Sequence, residues 1–161
     1  VTDLLARLVD IESIKQLKAR YFRTLDTKAW DDFRLVFTPD ITIDVDGNHF
    51  EGRDAFVEQL SGILTGVSTV HHGHMPEVTI TGPDEATGIW AMMDYLTFPG
   101  TGTGGGARGF RGYGHYHETY RRLDGQWHIA RLRLDRLRID PLPGGLPTGQ
   151  DVGDATPPTA G

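Results

Sequence analysis

The segment GYGHYHETYRRLDGQWHIARLRLDRLRID, residues 112–140, reads as two extended arms joined at Asp124-Gly125, and an Asp-Gly pair between strand-like runs is a hairpin signal. In the second arm Leu132, Leu134, Leu137 and Ile139 alternate with Arg131, Arg133, Arg136 and Arg138. A phase slip at Asp135 implies a bulge. This puts one face in a core and the arginines outside, toward solvent or a subunit interface. Working backward, residues 86–98 and 74–81 are two more extended segments, with Gly82-Pro83-Asp84 as the turn between them. Four neighbouring strands, 74–81, 86–98, 110–123 and 126–139, form an antiparallel sheet.

Helices come first in the chain. Residues 3–26 carry Leu4, Leu8, Ile11, Ile14, Leu17, Tyr21 and Leu25 in steps of three and four, a single helical stripe. Residues 27–37 read as a second, shorter helix closed by Pro39, 41–47 as a strand returning through a Gly47-Asn48 turn, and 52–64 as a third helix. Helices followed by strands mean α+β: three N-terminal helices packed in a curved, mainly antiparallel sheet. Residues 1–140 form that domain. Residues 141–161, with five Pro and five Gly, form a C-terminal arm with no fold of its own.

Composition narrows the function. The chain has 161 residues, 38% hydrophobic and 24% charged, enough for one core. No run reaches the roughly 18 apolar residues of a spanning helix, and the amphipathic, acid-containing N-terminus is unlike a targeting peptide. A cytoplasmic location without membrane contact is the expectation. A formal charge of −6 suits a nucleic-acid binder poorly. Cysteine is absent, which removes disulfides, thiolate metal sites and a Cys nucleophile. Of 21 glycines, eight lie in 99–114 and five in 141–161.

The ordered pieces KARYFRTLDTKAWDDFRLVFTPDITIDVDG, GRDAFVEQL, HHGHMPEVTI, GIWAMMDYL, GYGHYHETYRRLDGQWHI and RLRLDRLRID resemble the SnoaL-like branch of the nuclear transport factor 2-like superfamily, over roughly residues 5–140. The resemblance implies a cone-shaped fold around one apolar pocket, and a dimer or trimer. Within the branch the chain is most similar to the bile-acid 7α-dehydratases and scytalone dehydratases. The first group uses a Tyr late in the first helix, an Asp five residues on, a His in the sheet and a strand Asp; Tyr21, Asp26, His71 and Asp94 stand at those places. The chain departs from the second group at Leu96, Gly114 and Tyr116, where that group has His, Ser and Asn, which argues against the scytalone reaction itself.

The residue types fit the implied chemistry. Imidazole titrates near working pH and can remove a proton next to a carbonyl. His71 is the preferred base over His72 and His74, with Asp94 as the group that orients it. Tyr21, with Asp26 nearby, stabilises the oxyanion or protonates a departing hydroxyl. His74, Trp90, Met92, His115, Tyr116 and His117 are expected to line the substrate pocket. The plainer readings are a Tyr satisfied by backbone, an Asp ending its helix, and one core His beside solvated ones.

His115 and His117 share a strand face and could join His71 and His74 around a metal, but the branch implies none, and no cofactor is expected. Gly100-Thr101-Gly102-Thr103-Gly104-Gly105 matches G-x-G-x-x-G without the following helix a dinucleotide needs. It reads as a mobile connection at the pocket mouth, a candidate lid. The reading is a cofactor-independent dehydratase or isomerase for a hydrophobic, polycyclic, steroid-like or polyketide-like molecule. A polyketide cyclase, an epoxide hydrolase and a non-catalytic binding or assembly protein are the alternatives. The epoxide reading wants an Arg–Asp pair in the cavity, which outward arginines do not supply.

Overall fold

The computed structural model describes residues 2–148. Three helices, α1 (Thr2–Asp26), α2 (Trp30–Arg34) and α3 (Arg53–Ile63), pack on a six-stranded sheet. Its strands are β1 (Phe37–Val45), β2 (Asn48–Glu51), β3 (Ser68–Ile80), β4 (Glu85–Thr101), β5 (Ala107–Leu123) and β6 (Gln126–Pro141), in the order β2-β1-β6-β5-β4-β3. Only the β1–β6 contact is parallel. The α+β expectation holds. No helix among the described residues is long and apolar enough to cross a membrane.

The apolar stripe of α1 works as a buried face only from its middle: Ile14, Leu17, Tyr21 and Leu25 are buried, while Leu4 and Leu8 remain 63% and 55% exposed. The second helix is shorter than its sequence suggests. Lys28 takes a left-handed φ of 58°, which interrupts the helix before Trp30, and Phe37 already belongs to β1. Pro39 therefore does not cap a helix. It sits in the irregular stretch of β1, where the pairing with β6 shifts register, a position a residue without an N–H tolerates. The following turn is Asp46-Gly47, at φ 48° and 86°, one residue earlier than expected, because two left-handed residues match the twist of a hairpin.

β3 starts six residues before its expected beginning, so His71, His72 and His74 all lie within it. On the central strands alternation sets the inner face: Trp90, Met92, Asp94, Leu96 and Phe98 from β4, and Phe110, Gly112, Gly114, Tyr116, Glu118 and Tyr120 from β5, are buried. Phe33, fully buried, ties helices to sheet through Tyr21 and Phe37, with ring centroids 5.3 and 5.0 Å away.

The two glycine clusters meet. Beyond a short turn at Thr103–Gly105, residues 102–109 are bonded to residues 142–145. The Thr103 and Gly109 N–H groups donate to the Gly144 and Gly145 carbonyls (3.1 and 2.9 Å), and those of Leu142 and Gly144 donate to Gly109 and Ala107 (3.0 and 2.8 Å). A Cβ on Gly102 would lie 1.8 Å from the Gly144 oxygen, so the backbones touch only because side chains are missing. Leu142 and Pro147 are buried. Residues 149–161 of the arm lie outside the described residues.

Candidate active site

A cavity of about 160 Å³, open on one side, lies between the helices and the inner face of the sheet. Leu25, Phe50, Phe56, Leu60, Leu96 and Phe98 supply much of its apolar wall, and Pro147 from the C-terminal strap closes one side. Six polar side chains face it: Tyr21 from α1, Asp46 and Asn48 beside the first hairpin turn, His71 from β3, Tyr116 from β5 and Arg136 from β6.

His71 is held by the end of α1. Its Nδ1 lies 2.6 Å from Asp26 Oδ1, and its backbone N–H donates to Asp26 Oδ2 at 2.8 Å. The Thr69 hydroxyl donates to Asp26 Oδ1 at 2.9 Å, and Lys28 Nζ donates to Thr69 at 2.6 Å. Burial pushes the Asp26 carboxyl up, but the hydrogen bonds and charge of His71, with Thr69, hold it below the ordinary 3.8. An ionised Asp26 fixes the tautomer with the proton on Nδ1, leaving Nε2 as the basic nitrogen of a ring that faces the cavity.

Asp94 is not that partner. It stands directly opposite His71 in the strand register, yet its carboxylate, fully buried, is bound by Arg136 through Nε, at 3.2 Å, and Nη2. Arg136 also donates to Asp46 through Nη1. Burial works against the guanidinium's charge, but Asp94 and Asp46 more than offset it and raise its pKa. Gly112 makes the arrangement possible, since a Cβ there would lie 2.2 Å from Asp94 Oδ1 and 2.7 Å from Arg136 Nε.

Arg136 faces inward because the irregularity in β6 comes later than Asp135. Tyr113 pairs with Arg138 and Gly114 with Arg136, which leaves Leu137 as the extra residue. Leu132, Leu134 and Arg136 therefore share the inner face, and Leu137 is 76% exposed. A bulge read at Asp135 sends Arg136 outward; moving it by two residues reverses the face.

Tyr21 and Tyr116, 5% and 1% exposed, meet edge to face with ring centroids 5.9 Å apart. Burial pushes both phenols up, so they remain protonated donors. Beneath them Lys18 is paired with Glu118. Burial lowers the Lys18 pKa, and Glu118 partly restores it.

Of the residues expected to carry chemistry, Tyr21 and His71 face the cavity directly, whereas Asp26 and Asp94 stand behind His71 and Arg136. Of the expected pocket wall only Tyr116 is there. Trp90 is buried elsewhere in the core and donates to the Tyr120 hydroxyl at 2.8 Å, and Met92 is likewise a core residue. His74 lies on a surface groove with Gly73 and Met75. His115 and His117 flank Tyr116 and so point to the opposite face, their centroids 6.4 Å apart. Among the described residues no three His, Asp or Glu side chains are grouped to hold an ion. Arg136, Asp46 and Asn48 were not anticipated. The strict alternation from Leu132 was the available signal for the first, and tight turns at cavity mouths for the other two.

A family model described as the SnoaL-like domain matches residues 6–133. The probable cyclase FGR4 of Gibberella zeae is 28% identical over 137 residues, covering 77% of this chain and 89% of its own. A crystal structure described as "Putative Scytalone Dehydratase" from Novosphingobium aromaticivorans superposes with a TM-score of 0.76 at 22% identity, covering 97% of this chain and 100% of its own. The hexachlorocyclohexane dehydrochlorinase LinA-type3 of Novosphingobium barchaimii gives 0.74 at 18% identity, covering 89% and 97%. These two structures share the fold.

Proposed function

The chain belongs to the SnoaL-like domain family, and from that premise we propose that it is a lyase or cyclase of small hydrophobic molecules that acts by proton abstraction without a cofactor. The observation that carries the reading is His71, oriented by Asp26 at 2.6 Å and facing an apolar cavity beside three hydrogen-bond donors. His71 Nε2 takes the proton from a carbon next to a carbonyl. The electron pair moves to the carbonyl oxygen, and the enolate oxygen is received by Tyr21, Tyr116 and Arg136. With a hydroxyl one carbon further on, the enolate expels it. The imidazolium hands the proton it took to the departing hydroxide, which completes water, restores neutral His71 and leaves the conjugated carbonyl. With a second carbonyl in the same molecule, the enolate carbon attacks it and closes a ring, and the imidazolium returns its proton to the new alkoxide; the Gibberella zeae relative carries the name probable cyclase.

The cavity volume of about 160 Å³ is near the roughly 150 Å³ that accommodates benzene in an engineered protein cavity. One ring therefore fits within it. A polycyclic or steroid substrate would extend beyond that volume. The deciding experiment is α-proton exchange in D₂O, followed by NMR on a panel of one-ring and two-ring β-hydroxyketones and diketones. Exchange above buffer that disappears in His71→Ala is expected. No exchange with any member would overturn the reading.

One observation favours a second reading. Arg136 lies inward with a carboxylate on each side, the Arg–Asp pairing that epoxide hydrolysis needs, with Asp46 facing the cavity to activate water. It ranks second because both carboxylates are engaged by the guanidinium, whereas no hydrogen bond among the described residues occupies His71 Nε2. Turnover of a one-ring epoxide that survives His71→Ala would reverse that order.

A further inference from the structure

Lys18 is fully buried and Glu118 is 3% exposed, and the two are paired across the core. The Lys18 ammonium lies 3.8 Å from the ring centre of Tyr21, 3.7 Å from that of Tyr116 and 4.8 Å from that of Phe22. The other Glu118 oxygen accepts from the Tyr120 hydroxyl, which in turn accepts from Trp90. A lysine is thus enclosed by aromatic faces, and two of those rings are the cavity's phenols. Fold stability alone does not call for such a pair, because well-packed apolar side chains of similar volume often do as well or better.

We propose that Lys18 is a positioning residue that acts through Tyr21 and Tyr116, holding its cation against both rings so that the phenols donate more strongly to an anion in the cavity. The inference rests on the anion-stabilising role given to those phenols above. A phenol that donates to an enolate takes on partial negative charge. A cation against its π face lowers the energy of that charge, and more so in a desolvated interior. Burial and the Glu118 charge both push the Tyr21 phenol up, and Tyr116 and Arg136 work against them; a cation on the ring face acts in the same direction as these two. Glu118 holds the ammonium in place and keeps the core neutral.

The test compares the full chain with Lys18→Met/Glu118→Gln. Met keeps the length and ring contact of the lysine stem without its charge, and Gln keeps an acceptor for Tyr120. The probes are 4-nitrophenolate, a one-ring oxyanion, and nitrobenzene, its neutral counterpart, titrated by absorbance or calorimetry. The expected result is about a tenfold loss of phenolate affinity, with nitrobenzene affinity and melting temperature unchanged. An unchanged ratio overturns the proposal, and so does an equal loss for both probes, which is what a purely structural pair would give. Should the double variant not fold, the Nζ resonances of Lys18 in the parent decide. A neutral amine overturns the proposal; an ammonium that responds to 4-nitrophenolate and not to nitrobenzene supports it. A parent that shows no preference for the phenolate removes the anion-stabilising reading itself, and this proposal with it.

Discussion

Gly112→Ala is the sharpest test of the cavity's polar wall, and it needs no substrate. The added methyl would lie 2.2 Å from Asp94 Oδ1 and 2.7 Å from Arg136 Nε. Both belong to a buried pair inside a continuous sheet, so the carboxylate must retreat by about 1 Å or more to reach ordinary contact. Overpacking of this kind costs about 1–3 kcal/mol, and breaking a buried ion pair about 3–5 kcal/mol. Because Asp46 still engages the guanidinium, a net loss of about 3 kcal/mol is expected. For a domain of this size that lowers the melting temperature by roughly 6–12 °C. Gly62→Ala is the control. It is the same change near the end of α3, where a new Cβ meets nothing within 4 Å. The better helix propensity should stabilise the protein by up to about 1 kcal/mol. Thermal melts by circular dichroism read both. A Gly112→Ala protein melting within about 2 °C of the parent would refute the placement of Asp94 against Arg136.

His71→Ala and Tyr21→Phe should each lower α-proton exchange by about 10²–10⁴-fold while leaving the far-ultraviolet spectrum intact; full activity in either removes that residue from the mechanism. Asp26 is held below 3.8, so its bonds stabilise the fold above the unfolded carboxylate's value, and that stability is lost as pH falls through the lower folded value. The gap in urea midpoint between the parent and Asp26→Asn should therefore be full at neutral pH and close as pH drops below 3.8. A gap that persists to the lowest pH at which the protein folds would contradict this. Phe33→Ala, at a fully buried position that holds Tyr21 and Phe37 together, should cost about 3–5 kcal/mol in denaturant melts.

Local pattern made much of this molecule legible. The alternation in β4 and β5 and the Asp124-Gly125 hairpin follow from a period of two and a turn dipeptide, which the chain states outright. Tyr21 stands on the apolar stripe of α1, and that it faces inward is legible from the period alone; His71 lies ahead of the strand that alternation marks, and only the family resemblance of HHGHMPEVTI singles it out. The misreadings came where one residue of phase decides everything. The bulge in β6 falls at Leu137 instead of Asp135, and that difference turns Arg136 from a surface charge into the cavity's guanidinium. Asp94 is the evident partner for His71 in the sequence, a lone acid on the otherwise apolar WAMMDYLTF, but helix–sheet docking brings Asp26 to the imidazole instead. No period within either segment encodes that approach. His115 and His117 were read correctly as sharing a face; that it was the outer one depended on Tyr116 lying between them.

The backbone contact between residues 102–109 and 142–145 bears on how this protein is handled at the bench. A chain cut after residue 140, where the regular alternation ends, loses Leu142 and Pro147 together. Pro147 is part of the cavity's wall. Such a shortened protein would lack that part of the wall, and a ligand screen on it would report on a wider opening than the parent presents. Screening belongs on versions that retain residues up to 148 and with them both Leu142 and Pro147.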